Sequence, residues 1–159
     1  MKHAIVDIDG CLCESIFKNL GHNDNDKLKN KEFEEKLAGV KPYDWAVKHD
    51  WSKYKKISVV TGRLETHNHV TGTWLTKLFG RDFELYNTEW NDKLPTRKDS
   101  YDDYVRRKSI KIFDEMVRMF NDKTDKFDIF EDDKNVLKEL EDQEWFEVDY
   151  YHVIEGKIK

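Results

Sequence analysis

Two aspartates separated by a single residue follow a short apolar segment near the start of the sequence. The segment Ala4–Val6 leads into Asp7, Asp9 and Gly10, and it is too short and too rich in β-branched residues for a helix. Because residues two apart on a strand share a face, both carboxylates can converge at the carboxyl end of this strand, where open α/β sheets bind ligands. Carboxylates held so close repel each other, so the pair predicts a metal ion, a lysine or a shared proton beside it.

Polar clusters also follow two later segments that are predicted to be strands. One cluster holds Thr61, Gly62 and Arg63, and the other holds Asp132 and Asp133. The carboxyl ends of parallel strands lie at one edge of a sheet, so both clusters are expected beside the first pair of aspartates.

A predicted helix between these two clusters supplies a lysine. The helix spans Tyr104 to Asn121, and its first turn is basic. Its apolar face is predicted to consist of Ile112, Phe113, Met116, Val117 and Phe120. Lys108 lies four residues before the first of these, so it can lie one turn above the buried face. Lys111 is the alternative lysine, and the preceding segment, Asn87 to Tyr101, is predicted to be irregular.

Segments with strand patterns alternate with segments with helix patterns along the chain. Besides the first strand, the predicted strands are Lys56–Val60, Phe83–Tyr86, Phe127–Phe130 and Phe146–Ile154. The other predicted helices are Phe33–Leu37, a segment from Pro42 through Trp51, Thr66–Phe79 and Val136–Leu140. The alternation predicts a single α/β domain over residues 1–159, with a mostly parallel sheet that helices cover on both faces.

The two aspartate pairs form a set of oxygen ligands without nitrogen or sulfur. Hard oxygen ligands favour Mg²⁺, which takes a few carboxylates together with water and substrate phosphate. The hydroxyl and amide groups of Thr61, together with a lysine ammonium, can hold phosphate oxygens. A carboxylate can then act as the nucleophile that forms an acyl phosphate, while a second carboxylate two residues on transfers protons.

The order of Asp-x-Asp-Gly, Thr-Gly-Arg, a helical lysine and Asp-Asp resembles the haloacid dehalogenase superfamily of phosphohydrolases over almost the whole chain. The resemblance implies a Rossmann-like three-layer αβα sandwich with a small or absent cap. It implies that Asp7 is the nucleophile, that Asp9 is the general acid and base, and that Thr61 binds the transferring phosphoryl group. The lysine would neutralise the nucleophile and the phosphate. The implied metal ligands are Asp7, Asp9 through its main-chain carbonyl, Asp132, and Asp133 directly or through water.

A narrower resemblance concerns the 3′-phosphatase domain of phage-type polynucleotide kinase. Its layout matches Thr-Gly-Arg, a following helix with Thr73-Trp74-Leu75, and Thr96-Arg97-Lys98-Asp99 before the lysine helix. The match implies that Arg63 serves the phosphate site, with Gly10 and Gly62 as further substrate-binding residues. It predicts a Mg²⁺-dependent phosphomonoesterase that acts on a nucleic-acid 3′-phosphate or on a nucleotide. No Gly-x-x-x-x-Gly-Lys-Ser/Thr phosphate loop occurs in the sequence, so a kinase half is not expected.

Composition favours one folded domain in a reducing compartment. The 159 residues are 38% hydrophobic and 38% charged, with a net charge of −5. A nonspecific polynucleotide binder is usually basic, although a local basic patch can hold one nucleic-acid end. Cys11 and Cys13 are too close in sequence for an unstrained disulfide, which favours free thiols in a reducing cytoplasm. If the protein is phage-encoded, this is the cytoplasm of the host. Cys11 also stands where the superfamily usually has Thr or Val, and no segment is long and apolar enough to span a membrane.

The polar segment of about residues 13–40 is predicted to form a flap or a solvated loop. Within it, His22-Asn23-Asp24-Asn25-Asp26 resembles a calcium loop in composition, but the glycine and terminal glutamate of such a loop are absent. His67 and His69 follow the Thr-Gly-Arg turn, where they are candidates for substrate contact or for the surface.

Several other features leave alternatives open. Trp74 is predicted to pack in the core, whereas Trp90 lies in a polar segment and is a candidate for stacking on a base. Candidates for nucleic-acid backbone contacts or for a solvated face are Arg97, Lys98, Arg106 and Arg107. Alternative functions are a phosphatase for sugar or deoxynucleoside monophosphates and a module that binds nucleic-acid ends without hydrolysis. A receiver-type phosphoacceptor domain fits less well. In a receiver domain the lysine is the last of the site residues along the chain, whereas in this chain the last site residues are a second acidic pair.

Overall fold

A six-stranded sheet lies at the centre of the computed structural model, which describes residues 1–16, 31–91 and 93–159. The strands are β1 (Lys2–Val6), β2 (Ile57–Thr61), β3 (Glu84–Asn87), β4 (Lys126–Glu131), β5 (Glu147–Ile154) and β6 (Lys157–Ile158). Their order in the sheet is β3-β2-β1-β4-β5-β6. The first five strands are parallel, and β6 pairs with β5 in the antiparallel sense. The predicted α/β class with a mostly parallel sheet is confirmed.

Helices connect the parallel strands, as parallel pairing requires. They are α1 (Lys31–Gly39), α2 (Asp44–Lys48), α3 (Asn68–Phe79), α4 (Arg97–Met119) and α5 (Lys134–Glu141). Two short 3₁₀ turns lie at Trp51–Lys53 and Glu65–His67. Among the described residues, no helix is both long enough and apolar enough to cross a membrane.

Apolar strand residues contribute to two separate clusters. Ala4 and Val6 pack in one cluster with residues of α2 and α3, whereas Ile5 packs in another with residues of α4 and α5. Val59 and Val60 divide between the two clusters in the same way. This division follows from strand geometry, because successive side chains point to opposite faces of a sheet.

Helix α4 begins seven residues earlier than the sequence pattern predicted. The side chain of Thr96 accepts a hydrogen bond from the backbone nitrogen of Asp99 at 3.0 Å, which caps the helix at this earlier point. The prediction of irregular structure up to Tyr101 is therefore wrong over the last residues of that segment. Lys108 consequently lies in the fourth turn of the helix and not in its first.

The buried face of α4 also differs from the predicted apolar face. Met116 is fully buried, but Val117 is 53% exposed and Phe120 is 38% exposed. The buried positions instead follow the 3–4 spacing Val105, Lys108, Ile112, Met116 and Met119. A lysine therefore occupies the same buried stripe as the apolar residues, which brings its charge to the sheet.

Smaller differences concern the ends of elements. Trp51 lies in a separate 3₁₀ turn after α2, and the sequence pattern gave no indication of β6. The predicted core position of Trp74 is confirmed, and its Nε1 donates to the carbonyl of Val40 at 2.7 Å. Of the predicted flap, residues 31–39 form α1, whereas residues 17–30, with the segment of calcium-loop composition, lie outside the described residues.

Neighbouring residues of α4 should respond differently to truncation. Met116→Ala removes a fully buried side chain and is expected to lower the free energy of unfolding by about 2–5 kcal/mol. Val117→Ala is the matched control, and we expect it to change that free energy by less than about 0.5 kcal/mol. Urea denaturation of both variants measures the difference, and equal losses would contradict the assigned face.

Candidate active site

The carboxyl ends of β1 and β4 place two acidic residues side by side. Val6 pairs with Phe130 in the parallel register, and the backbone nitrogen of Asp7 donates to the carbonyl of Phe130 at 3.0 Å. The next residue on β4 is Glu131, so the two side chains leave neighbouring strands at the same level. Both are almost fully buried, with exposed fractions of 5% for Asp7 and 1% for Glu131.

Lys108 reaches both carboxylates from α4. Its Nζ lies 2.8 Å from Oδ1 of Asp7 and 3.0 Å from Oε2 of Glu131. The side chain is buried, with 1% exposed. Burial alone would lower the pKa of Lys108, but the facing carboxylates of Asp7 and Glu131 outweigh it and raise the pKa well above its usual value. Lys108 is therefore a fixed positive charge against Asp7.

Asp132 adds a third carboxylate to the same site. Oxygen atoms of Asp7, Glu131 and Asp132 all lie within 4.8 Å of one another. Burial, followed by repulsion from Asp7, raises the pKa of both Glu131 and Asp132. Three carboxyl groups thus lie beside one lysine that contacts two of them, and their mutual repulsion favours a further cation.

Gly10 allows the loop after β1 to approach this acidic group. Its φ of +80° lies in the left-handed region, and a Cβ at this position would collide with the carboxylate of Asp132. The loop is closed by hydrogen bonds from the backbone nitrogens of Cys11 and Leu12 to the carbonyl of Ile8, at 3.1 and 2.8 Å. The glycine of the Asp-x-Asp-Gly motif is therefore required by both conformation and space.

Asp9 lies in a separate ion pair with Arg63. Both carboxylate oxygens accept from the guanidinium, at 2.9 Å from Nε and 2.8 Å from Nη2. The remaining nitrogen, Nη1, donates to Oγ1 of Thr71 at 3.3 Å. Arg63 is only 1% exposed, so in this structure its side chain binds Asp9 and does not present a free fork to solvent.

Thr61 and Gly62 form the turn that leads into Arg63. The hydroxyl of Thr61 is fully buried and accepts a hydrogen bond from the backbone nitrogen of Arg63 at 3.1 Å. A Cβ on Gly62 would lie 2.7 Å from the hydroxyl oxygen of Tyr104, so a larger residue would displace that ring. The Thr-Gly-Arg motif therefore packs closely against α4 near Lys108.

The carboxylate of Asp133 has partners other than the three clustered carboxylates. Its two oxygens accept from the hydroxyl of Tyr101 at 2.9 and 2.8 Å, and Oδ1 also accepts from the backbone nitrogen of Asn135 at 2.9 Å. The last contact caps α5. Asp133 thus joins the starts of α4 and α5 beside the site.

The structure brings some of the residues predicted from sequence together and separates others. Asp7, Asp132 and Lys108 meet in one group, whereas Asp9 and Asp133 have other partners. The alternative lysine, Lys111, pairs with Glu115 at 3.5 Å and lies over the ring of Tyr86. Of the two lysines, only Lys108 contacts Asp7.

Sequence reasoning missed Glu131 as a member of the site. A signal for it exists, because Glu131 directly precedes the second aspartate pair and shares strand parity with Ile129, as Asp7 does with Ile5. Ile5 and Ile129 both pack in the cluster that contains residues of α4. The parity therefore directs Asp7 and Glu131 toward the helix that carries Lys108.

The two cysteines near the site are unreactive. Cys11 and Cys13 are free and buried, and burial raises the pKa of Cys11 well above its usual value and that of Cys13 to about 12. Neither thiol is a reactive thiolate at neutral pH.

His67 is buried and His69 is exposed, and both lie beside Glu34 of α1, with nitrogen–oxygen distances of 3.7 and 2.6 Å.

The donor set fits a hard divalent cation. The ligand atoms in the cluster are all carboxylate oxygens. Because these oxygens lie within 4.8 Å of one another, a single ion can contact several of them. The close approach at Gly10 brings the loop that follows Asp9 against the carboxylate of Asp132. Mg²⁺ suits such a site better than Zn²⁺, which favours nitrogen and sulfur.

The chain matches no protein-family model, no curated protein and no solved structure with which it was compared.

Stability should fall with rising pH when divalent cations are removed. Folding raises the pKa of Glu131 to about 7, so the native state binds this proton more tightly than the unfolded chain does. The resulting stabilisation is complete below the ordinary glutamate pKa of about 4.3. It is lost as the pH rises through about 7. In EDTA, we expect the free energy of unfolding to decrease between about pH 5 and about pH 8.

Glu131→Gln should flatten this pH dependence, because the amide cannot titrate. The matched control is Glu147→Gln, whose exposed side chain pairs with Lys126 at the surface and should leave the slope unchanged. Denaturant titrations at both pH values provide the measurement, and equal slopes in the Glu131 variant and the wild type would contradict the assignment.

Proposed function

We propose that the protein is a Mg²⁺-dependent phosphomonoesterase that forms an aspartyl-phosphate intermediate on Asp7. The observation that carries the proposal is the Lys108 ammonium 2.8 Å from Asp7, with Asp132 and Glu131 in the same group at the carboxyl edge of the sheet. This is the edge where α/β sheets bind ligands. A lysine beside a carboxylate nucleophile can also neutralise the phosphate that the nucleophile attacks.

The proposal includes membership of the haloacid dehalogenase superfamily and a three-layer αβα sandwich with a small or absent cap. The order of motifs supports the family, and the division of strand residues between two apolar clusters supports the layering. The free thiols of Cys11 and Cys13 support a reducing compartment such as the cytoplasm.

In the first half-reaction, a carboxylate oxygen of Asp7 attacks phosphorus. A bond from Asp7 to phosphorus forms while the bond from phosphorus to the ester oxygen breaks, and Asp9 gives a proton to the departing alkoxide. In the second half-reaction, Asp9 takes a proton from water as the water attacks phosphorus. The acyl phosphate breaks, which returns Asp7 as a carboxylate and releases inorganic phosphate.

The chain's other residues hold and neutralise the reacting groups. Lys108 places its positive charge against Asp7, and the Thr61 turn positions the phosphoryl group. Asp7, Asp132 and the carbonyl of Asp9 would hold the metal, with Asp133 contributing directly or through water. Mg²⁺ bound there supplies positive charge to the phosphate oxygens.

Arg63 acquires a more specific role than phosphate binding in this scheme. Each oxygen of Asp9 accepts one bond from the guanidinium, which orients the carboxylate and leaves each oxygen a second lone pair for proton transfer to the leaving group. Arg63 is therefore a positioning residue for Asp9.

The proposed substrate is a nucleic-acid 3′-phosphate or a nucleotide. Support comes from the Thr-Gly-Arg motif, from the helix that follows it and from the basic start of α4, which carries Arg97 and Lys98. Local basic groups can hold one nucleic-acid end even though the whole chain has a net charge of −5.

Phosphate release tests the reaction itself. With Mg²⁺, the wild type should release phosphate from a 3′-phosphorylated oligonucleotide, and Asp7→Asn should lower the rate by about 10³-fold or more because the nucleophile is lost. Asp149→Asn, at an exposed position on β5, is the control and should retain the rate. Deoxynucleoside monophosphates and sugar phosphates serve as comparison substrates, and the proposal fails if none is hydrolysed or if Asp7→Asn remains active.

The role of Arg63 can be separated from phosphate binding by steady-state kinetics. Arg63→Gln should lower kcat by about 10- to 100-fold with little change in KM, because the proton-transfer group is mispositioned. A phosphate-binding role would instead raise KM. Arg81→Gln, which removes contacts to the carbonyls of Trp51 and Tyr54, is the control for loss of a structural arginine and should leave kcat unchanged.

A further inference from the structure

Trp90 lies on a short loop that is held firmly beside the candidate site. The residues before it are fixed by three hydrogen bonds. The backbone nitrogen of Thr88 donates to the carbonyl of Thr61 at 2.7 Å, and Nη2 of Arg107 donates to the carbonyl of Glu89 at 2.6 Å. The side chain of Glu89 also accepts from the backbone nitrogen of Glu65 at 2.9 Å. The loop is thus tied to β2 and to α4.

The ring of Trp90 belongs to a row of aromatic residues that leads into the site. Its ring centroid lies 5.7 Å from that of Tyr104 and 6.4 Å from that of Tyr101. The Tyr104 ring lies 5.7 Å from Nζ of Lys108, which contacts Asp7, and the Tyr101 hydroxyl bonds to Asp133. We call Trp90, Tyr101 and Tyr104 the aromatic wall.

Trp90 differs from the tryptophans that stabilise the fold. Trp51 and Trp74 are buried members of one core cluster, whereas Trp90 is half-buried and belongs to neither of the two clusters among the described residues. Trp90 is a large ring on a fixed polar loop, outside the core, and only the Tyr104 ring lies between it and Lys108. It is therefore placed to contact substrate.

We propose that the aromatic wall binds the nucleobase adjacent to the phosphate that Asp7 attacks, with Trp90 as the stacking surface. The inference rests on the proposed function and narrows its substrate class to 3′-phosphates that carry a base. A sugar links the phosphate to the base in such a substrate, and the Tyr104 ring spans the corresponding interval between Lys108 and Trp90. Stacking on an aromatic ring tolerates all four bases, so the preference is for a base and not for a sequence.

Basic side chains near the aromatic wall are placed to bind the backbone of the nucleic-acid strand that precedes the terminal nucleotide. Arg107 lies against the carbonyl that precedes Trp90, and Lys93 and Arg97 follow in the same loop and at the start of α4. Lys93 and Arg97 are exposed and have no ion pair within residues 1–16, 31–91 and 93–159. They can therefore contact the phosphodiester on the 5′ side of the terminal nucleotide.

The test compares two oligonucleotides that differ only in their last residue. Both carry a 3′-phosphate, but one ends in a thymidine and the other in an abasic sugar analogue. We expect Trp90→Ala to lower the ratio of kcat/KM between the base-bearing and abasic strands by about 5- to 100-fold, and Trp90→Phe to restore most of the ratio. Trp145→Ala removes an exposed tryptophan before β5, and it should leave the ratio unchanged.

Folding and binding measurements separate the possible failures. Circular dichroism checks that the variants fold, and fluorescence anisotropy of labelled strands on the Asp7→Asn protein measures binding without turnover. The inference is overturned if Trp90→Ala and Trp90→Phe lower kcat/KM equally for the base-bearing and abasic strands, or if they change kcat/KM for neither strand. If the wild type hydrolyses no substrate but still binds the base-bearing strand through Trp90, the proposed function fails and the base-binding role stands.

Discussion

The buried ammonium group of Lys108 between two carboxylates constrains the arrangement of the whole site. An ammonium buried without partners destabilises a fold by several kcal/mol, so Lys108 can lie in the core stripe of α4 only where Asp7 and Glu131 meet it. This requirement fixes how α4 lies on the sheet and depends on the register between β1 and β4. The same contact that satisfies the helix places a positive charge beside the proposed nucleophile.

The site contains two ion-pair systems that make its carboxylates chemically different. Asp7 lies with Lys108 in a crowded acidic group, whereas both oxygens of Asp9 accept from one edge of the Arg63 guanidinium. A compact lysine charge leaves Asp7 oxygens available to other partners, but a bidentate arginine contacts both oxygens of Asp9. Two aspartates that are only two residues apart therefore have distinct surroundings, which suits distinct roles in attack and proton transfer.

The sequence predicts which reactive residues lie at the edge of the sheet better than it predicts which residues they contact. Asp7, Asp132 and Lys108 could be placed at one edge because a parallel sheet aligns the carboxyl ends of its strands. Strand parity directs Glu131 toward α4, but its meeting with Asp7 and Lys108 depends on the register of β4 against β1, which a single sequence does not specify. The partner of Arg63 was missed because it depends on the conformation of the turns after β1 and β2.

The start of α4 shows a different reason for error. Residues 97–103 are almost entirely polar, so they carry no apolar periodicity, and the pattern emerges only where the helix passes beneath the sheet. The helix begins at the cap between Thr96 and Asp99, but a threonine followed by an aspartate three residues later is a weak signal in a sequence. The buried stripe was similarly misjudged because a lysine was not expected among core positions.

Glu131 explains how the acidic group can be both crowded and ordered. Its oxygens accept from Lys108 and from the backbone nitrogen of Asp133, so it fixes the lysine on one side and the start of the α5 loop on the other. Without such a partner, the long lysine side chain would have more freedom beside Asp7. A third carboxylate raises the repulsion in the site, yet it also preorganises the ammonium that the proposed reaction needs. Electrostatic crowding and precise placement are therefore two consequences of the same residue.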